Sequence, residues 1–184
     1  MALQALSILA NGMSQLEIGE LGVASFGEDM KMVHGFGTPF VAESGSKCVA
    51  SFGFEQQRTR MADCIQGALE VLTAGSEGGR KLCFLVSDGR VERDNRDRLR
   101  ALVREMSEKG ILLVCLVIDG AGKDSIVNMR SVEFVDGKTK MTKFIDDYPF
   151  PFYLLVKDVE TLPDVLGDAL KQWLEMLARL ESRD

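Results

Sequence analysis

Several features that mark common protein classes are missing from this sequence of 184 residues. Its longest apolar run, Ile111 to Ile118, is far too short to cross a bilayer. No basic flank precedes an apolar segment at the start of the chain, so we expect no signal peptide. The net charge of −6 provides no basic excess for phosphate contacts, and we expect neither a membrane nor a nucleic acid as a direct partner.

The usual patterns of an active site are also absent from the sequence. Its single histidine, His34, has the alternating neighbours Met32 and Phe36, which favour a structural role in a strand. No glycine-rich phosphate-binding pattern follows a predicted strand. The four cysteines include no C-x-x-C pair, which favours reduced, buried thiols in an intracellular protein. These absences favour a binding protein over an enzyme.

What the sequence does contain is an alternation of strand and helix patterns. Apolar residues recur at helical spacing in Ala2–Met13, Met61–Leu72, Leu99–Met106 and Val165–Leu177. Strand patterns lie at Glu20–Phe26, Lys31–Phe36, Lys81–Val86, Ile111–Ile118 and Phe152–Val156. Such alternation predicts a three-layer α/β fold, in which a mainly parallel sheet carries helices on both faces, within a single domain over residues 1–184.

Two segments interrupt this alternation. The small and polar residues from Gly37 to Ser51 predict a long surface loop. Two strand-like runs around Asp136-Gly137 predict a β-hairpin insertion at residues 124–148. In the last helix we expect Trp173 to pack against the sheet, so that Trp173→Ala costs about 3–5 kcal/mol of stability.

One strand end carries a candidate metal ligand. Ligands of parallel sheets sit outside the carboxyl ends of the strands. Asp88 lies at such an end, in Ser87-Asp88-Gly89, where Gly89 lets the backbone turn away. Magnesium and other hard cations prefer oxygen ligands of this kind, and magnesium usually keeps several waters. The alternative interpretation is a polar turn with no ligand.

Two further positions near strand and helix ends allow more than one interpretation. Thr59 lies just before the helix that begins near Met61, where it is either a metal ligand or an ordinary N-cap. Asp119 precedes Gly120 at the end of another strand, and we interpret it as a turn residue.

A threonine before a helix, followed by an apolar strand that ends in S-D-G, resembles the metal-ion-dependent adhesion site of von Willebrand factor A domains. Longer segments, FGEDMKMVHGFG, FEQQRTRM, LVSDGR and PFPFYLLVKDVETLPDVLGDALKQWLEML, extend the resemblance. They are similar to the C-terminal domain of the dynein-related AAA ATPases that strip assembly factors from nuclear precursors of the large ribosomal subunit. The resemblance covers nearly the whole chain.

The resemblance implies a metal site. Thr59 and Asp88 would hold a divalent cation, magnesium or else manganese or calcium, with Asp88 acting directly or through water. The loops around the cation would contact a partner through Arg58, Ser87, Gly89 and Arg90. The family's site also includes a D-x-S-x-S loop after a central strand, and this sequence contains neither. Glu43-Ser44-Gly45-Ser46 is a near match with the wrong spacing.

A missing central strand has a structural consequence. A parallel sheet without it exposes unpaired edges, so we expect a strand from outside this sequence, or from another chain, between Glu20–Phe26 and Lys81–Val86. Direct pairing of those two segments would contradict the assignment.

The resemblance also implies a function. The domain would grip ubiquitin-like domains of WD-repeat ribosome assembly factors in the nucleolus and nucleoplasm, through a metal-bridged partner carboxylate. The parent AAA ATPase ring would then remove these factors from pre-ribosomal particles. Two alternatives are another intracellular von Willebrand A module paired with a chelatase-type ATPase, and a metal-dependent hydrolase. The hydrolase is weakened because no second carboxylate or histidine lies beside Asp88 in sequence.

Overall fold

The computed structural model describes residues 2–15, 19–53, 58–75, 80–92, 95–119, 125–135 and 138–181. Within these ranges the α-helices are α1 (Ala2–Gln15), α2 (Ala42–Ser51), α3 (Met61–Ala74), α4 (Arg96–Glu108) and α5 (Leu162–Glu181). The strands are β1 (Val23–Phe26), β2 (Met30–His34), β3 (Lys81–Ser87), β4 (Ile111–Ile118), β5 (Arg130–Val135), β6 (Lys138–Lys143) and β7 (Tyr153–Val156). Short 3₁₀ turns span Phe144–Asp147 and Val159–Thr161.

The central element is a parallel sheet in the order β3-β4-β7. Ser87 of β3 lies opposite Val117 of β4, and Ile118 of β4 lies opposite Val156 of β7. The two apolar strand patterns predicted at Lys81–Val86 and Ile111–Ile118 are therefore direct neighbours in the sheet. Because the three strands are parallel, their carboxyl ends meet at one edge, and Asp88 emerges there.

Helices cover both faces of this sheet, as predicted. On one face, α3 and α4 contribute Ile65, Leu69, Leu99 and Met106 to a core that includes alternate residues of β4. On the other face, α1 and α5 pack over Leu116 and the end of β7. The apolar residues at helical spacing are the ones that face the sheet, because each helix buries a single stripe.

The outer edge of β3 differs from the interior of the sheet. β4 has two neighbouring strands and is almost entirely buried, whereas β3 pairs only with β4 and is half-buried at every residue except Leu85. Within the described residues, β1 pairs antiparallel with β2 and not with β3. The direct pairing that would have contradicted the predicted gap is absent there.

The predicted loop from Gly37 to Ser51 is wrong over most of its length, because α2 occupies it. The N–H of Val41 donates to Ser44 Oγ (3.4 Å), which closes the first turn. Glu43 and Lys47 form an i,i+4 ion pair at 2.8 Å, and Cys48 is buried as an apolar anchor. These local interactions hold a helix whose small residues suggested a loop.

The predicted hairpin insertion is confirmed, with β5 and β6 antiparallel and Arg130 opposite Lys143. Asp136-Gly137 and residues 120–124 lie outside the described residues, as does the side chain of Trp173. No helix within the described ranges is both long and apolar enough to cross a membrane.

The segment after the hairpin, Phe144–Asp147, contacts the start of α4 through hydrogen bonds, ion pairs and a cation–π contact. The Arg96 guanidinium lies 4.7 Å from the centre of the Phe144 ring and donates to Asp147 Oδ2 at 2.9 Å. Arg100 also donates to the Asp147 carboxylate. Burial raises the pKa of Asp147, but the hydrogen bonds and charges of Arg96 and Arg100 outweigh it, so the pKa falls below its usual value.

Candidate functional site

The turn after β3 holds Asp88 in a defined conformation. The N–H of Arg90 donates to Asp88 Oδ1 at 3.0 Å, and the N–H of Gly89 donates to Ser87 Oγ at 3.2 Å. Short side chains that bond their own backbone in this way fix a tight turn. The Asp88 side chain is nevertheless 66% exposed, with Arg90 Nε 3.9 Å from its Oδ2. Its carboxylate is therefore oriented by its own turn and also exposed to solvent.

Gly89 is required by its surroundings. It is buried and has φ +77°, a conformation that favours glycine. A Cβ at this position would lie 2.6 Å from Val117 Cγ1 and 3.1 Å from the Tyr148 hydroxyl oxygen. The backbone of the turn thus rests directly on β4 and on Tyr148. The prediction that Gly89 lets the chain turn away from the strand is confirmed.

Tyr148 supports this turn and was not identified from the sequence. Its ring packs against Phe144, Phe150 and Tyr153, with ring centres 6.0, 5.4 and 5.3 Å away. Its hydroxyl oxygen lies 3.5 Å from Cys115 Sγ. No local pattern joins Tyr148 to Asp88, because the long connection through the hairpin separates them.

The polar groups under the turn remain neutral. Burial raises the pKa of the Tyr148 phenol above its usual value, and Cys115 and Asp88 raise it further. Burial also raises the pKa of the Cys115 thiol, to about 11. Burial likewise raises the pKa of the Cys64 thiol and that of the Cys83 thiol to about 12. All four cysteines are free, so the prediction of reduced thiols agrees with the structure, and none of these three is a thiolate at neutral pH.

Thr59 lies in an exposed segment immediately before α3. The N-cap of α3 is Arg60, and it makes no side-chain capping hydrogen bond. The interpretation of Thr59 as an ordinary N-cap is therefore wrong. The N–H of Arg60 donates to the Gly27 carbonyl at 2.7 Å, which ties the segment to the β1–β2 turn. The Thr59 hydroxyl makes no hydrogen bond with the described part of the chain, so it remains available to a ligand.

A pocket of about 240 Å³ lies beside Thr59. Its lining residues are Arg58, Thr59, Arg60, Ala62, Asp63, Glu92, Asn95 and Arg98. The pocket joins the start of α3 to the start of α4. Both helices begin at the carboxyl edge of the sheet, since α3 leads into β3 and α4 follows it.

The structure brings the Thr59 segment to the chain just after Asp88 but does not place Asp88 in the pocket. No hydrogen bond links Thr59 with Asp88. Sequence reasoning identified Arg58 and Thr59 but missed the other polar residues of the lining, which are Arg60, Asp63, Glu92, Asn95 and Arg98. The topology could have indicated them, because α3 and α4 both begin near the carboxyl end of β3 and so bring their first residues together.

The predicted ligands Thr59 and Asp88 carry oxygen donors, which suit one kind of metal. Among the described residues, no group of three or more histidines, cysteines or carboxylates lies close enough to hold an ion. A closed cage of protein ligands, as in structural zinc sites, is therefore not formed there. One threonine hydroxyl and one aspartate carboxylate fit a hard cation such as magnesium, which keeps water in its remaining positions.

Other candidate residues have structural roles. Asp119 is buried, and its carboxylate accepts hydrogen bonds from Ser125 Oγ and from the N–H of Ile126. Asp119 therefore holds the chain that follows β4, whereas the turn expected at Asp119-Gly120 lies partly outside the described residues. His34 Nε2 lies 3.0 Å from the Thr38 carbonyl oxygen, and its ring packs edge-on to Phe40. The structural role expected of His34 is also confirmed.

Comparison with solved structures supports the class of fold. The chain is similar to the conserved hypothetical protein BatB from Bacteroides thetaiotaomicron, with a TM-score of 0.62 and 15% identity, covering 95% of this chain and 88% of that chain. It is also similar to an aerotolerance-related membrane protein from Bacteroides fragilis, with a TM-score of 0.58 and 16% identity, covering 93% and 87% of the two chains. With the parallel sheet and its two helical layers, these likenesses establish a von Willebrand factor A-like fold.

Comparison of sequences is more specific. No protein-family model matches the chain. Midasin from Dictyostelium discoideum is 32% identical over 181 residues, which cover 95% of this chain and 3% of that protein. Midasin from Giardia intestinalis is 32% identical over 187 residues, covering 96% of this chain and 4% of that protein. The chain is therefore homologous to a region of midasin, and it spans only a few per cent of the length of these relatives.

Proposed function

We propose that this chain is a protein-binding domain in which a divalent cation bridges Thr59, Asp88 and an acidic side chain of a partner. The observation that carries the proposal is Asp88 itself. Its carboxylate is fixed by its own turn, open to solvent, and set at the ligand edge of a von Willebrand factor A-like sheet.

The chemistry of the bridge is set by the ligands. A magnesium ion held by one hydroxyl, one carboxylate and water remains short of negative charge. A glutamate or aspartate of the partner replaces one water and supplies that charge with directional geometry. The residues proposed to contact the partner around the ion are Arg58, Ser87, Gly89 and Arg90.

The homology to midasin supports a particular setting for this binding. We propose that the partner is the ubiquitin-like domain of a WD-repeat ribosome assembly factor, in the nucleolus and nucleoplasm. In that setting the domain is a non-catalytic part of a AAA ATPase whose ring pulls the factor from a pre-ribosomal particle. Commitment of His34 and Asp119 to internal hydrogen bonds supports binding over catalysis.

The free edge of β3 belongs to the same proposal. Within the described residues one edge of this strand has no partner, and its side chains are half-buried. We propose that a further strand, from outside the described residues or from another chain, pairs along this edge. The loop after such a strand would emerge beside Asp88 and add ligands to the cation.

A binding titration tests the proposal. The full chain is titrated with the ubiquitin-like domain of a WD-repeat assembly factor, in magnesium and in excess EDTA. We expect EDTA and Asp88→Ala each to weaken binding on the order of tenfold or more, a loss of about 1.4 kcal/mol for each factor of ten. Thr59→Ala should also weaken it.

Matched controls are available in α2. Ser44 and Ser46 bond within that helix, through the N–H of Val41 and the Ala42 carbonyl, so Ser44→Ala and Ser46→Ala should leave affinity unchanged. Equal affinity in magnesium and in EDTA would rule out the metal bridge.

A further inference from the structure

We infer that the pocket beside Thr59 is a second anchoring site, which binds another acidic side chain of the same partner that supplies the metal-bridging carboxylate. The inference rests on the proposed function, because it concerns the same binding event. It adds a site that is separate from the Asp88 carboxylate, since Asp88 does not line the pocket.

The hydrogen-bond acceptors in the pocket have partners within the chain, whereas some of its donors have none among the described residues. The acceptors have internal partners: Asp63 Oδ1 lies 2.7 Å from Arg98 Nη1, and Glu92 Oε2 accepts from Asn95 Nδ2 at 3.1 Å. Arg58 and Arg60 also line the pocket, and within the described residues their guanidinium groups have no hydrogen bond or ion pair. The pocket therefore presents unused donors and satisfied acceptors.

The distribution of charge reinforces this imbalance. The chain as a whole has a net charge of −6, yet the pocket is lined by Arg58, Arg60 and Arg98 against Asp63 and Glu92. In the neighbouring turn Arg90 lies beside Asp88, and this pair adds no net charge. A locally cationic surface on an acidic protein favours an acidic contact and raises the rate of encounter with it.

The size of the pocket indicates a side chain rather than a free ligand. Its volume of about 240 Å³ lies below the range of about 300–1,000 Å³ that is usual for small-molecule and cofactor sites. The guanidinium group presents paired donors that match a planar carboxylate with two parallel hydrogen bonds. One aspartate or glutamate of a protein surface meets both conditions.

A carboxylate fits better here than a nucleic-acid backbone. Successive phosphates need a run of cations, whereas this pocket alternates arginines with Asp63 and Glu92. A single acidic side chain can contact the arginines alone, whereas the next phosphate of a nucleic acid would lie against Asp63 or Glu92 and be repelled. We therefore assign the site to an acidic residue of a protein partner.

The experiment is a double-mutant cycle with a metal arm. The full chain, its Arg60→Ala and Arg58→Ala variants, and the control Arg104→Ala are titrated with the ubiquitin-like domain of a WD-repeat assembly factor. Arg104 is exposed on α4 and does not line the pocket. Each surface aspartate and glutamate of the partner domain is then replaced by its amide and measured against wild type and Arg60→Ala.

We expect Arg60→Ala to weaken binding by about three- to tenfold, as for a partly desolvated ion pair, and Arg104→Ala to have no effect. Arg60→Ala should keep the full ratio of affinities between magnesium and EDTA. One acidic residue of the partner, other than the metal ligand, should lose its effect in the Arg60→Ala background. Circular dichroism of each variant checks that the fold is retained.

The possible failures are distinguishable. If EDTA weakens binding but the pocket variants match wild type, the second anchor is overturned and the metal bridge stands. If EDTA has no effect while Arg60 still couples to a partner carboxylate, the metal bridge fails and the anchor stands. If Arg58→Ala and Arg60→Ala abolish binding of a uridine-rich RNA oligonucleotide and leave the partner's affinity unchanged, the assignment to an acidic protein residue is overturned.

Discussion

Asp88 and Asp119 lie in the same local sequence, an aspartate and a glycine that follow a strand of one parallel sheet. The Asp119 residue is only 3% exposed, and its carboxylate accepts hydrogen bonds from Ser125 and Ile126. The Asp88 side chain is 66% exposed, and its hydrogen bonds come from its own turn. One carboxylate organises a loop, and the other faces solvent.

The difference between the two aspartates lies in the later course of the chain. Beyond Asp119 the chain returns to the carboxylate, which is the acceptor that the N–H of Ile126 needs. After Asp88 the chain turns sharply at Gly89, packs onto Val117 and Tyr148, and leaves the carboxylate uncovered. A strand–Asp–Gly pattern therefore leaves the carboxylate open to solvent only when nothing later in the chain covers it.

The largest expected effect comes from removing the tight turn that holds Asp88. Gly89→Ala combines a positive φ with a Cβ 2.6 Å from Val117 Cγ1, so we expect a loss of about 2–5 kcal/mol from backbone strain and overpacking. Gly110→Ala is the matched control, since Gly110 has φ +70° and open space around its Cβ position. It should cost about 1–2 kcal/mol. Equal losses in urea unfolding would show that the contact with Val117 does not constrain the turn.

Substitution of the two aspartates should separate stability from binding. Asp119→Ala leaves the N–H of Ile126 and the hydroxyl of Ser125 without their acceptor, and we expect it to cost about 1–3 kcal/mol. Asp88→Ala should cost about 0.5 kcal/mol or less, because the side chain is exposed. Urea unfolding measures both changes. Similar losses at the two positions would remove the distinction between them.

The smallest expected effect lies beneath the Asp88 turn, at Asp147. Its pKa in the folded chain is lower than the usual value of 3.8, so its ion pairs add stability above about pH 3.8, and that stability is lost as pH falls through the lower folded pKa. Asp147→Asn should therefore be less stable than wild type at pH 6. The gap should narrow at pH 3. A gap that stays constant in urea unfolding at both pH values would show that Asp147 gains nothing from Arg96 and Arg100.

Much of the fold was predictable because its signals are periodic. The continuous apolar runs of β3 and β4 predict buried neighbouring strands. The structure pairs them in parallel and buries β4, but β3 is only half-buried because one of its edges has no partner within the described residues. The α2 helix was missed because its composition is small and polar, and a cap at Ser44 and one buried cysteine hold it. A helix with one buried apolar residue has no repeating apolar pattern in its sequence, so periodicity does not predict it.

The site was only partly predictable. Asp88, Gly89 and Thr59 stand at recognisable points of a strand end and a helix start. Tyr148 lies far from Asp88 in sequence, in the segment between β6 and β7. The neighbouring residue Asp147 pairs with Arg96 of α4, and the Tyr148 hydroxyl lies against Cys115 of β4. Of the pocket arginines, Arg58 was predicted as a partner contact, whereas Arg60 and Arg98 were not, because sequence spacing does not reveal which side chains meet at an edge of the sheet.

We propose that Asp88, and not Asp119, holds a divalent cation. The most direct measurement is electron paramagnetic resonance of Mn²⁺ titrated into wild type, Asp88→Asn and Asp119→Asn, since bound Mn²⁺ loses its free-ion signal. Asp88→Asn should weaken Mn²⁺ binding on the order of tenfold or more, while folded Asp119→Asn binds as wild type does. Equal binding by wild type and Asp88→Asn, or a loss confined to Asp119→Asn, would contradict the claim.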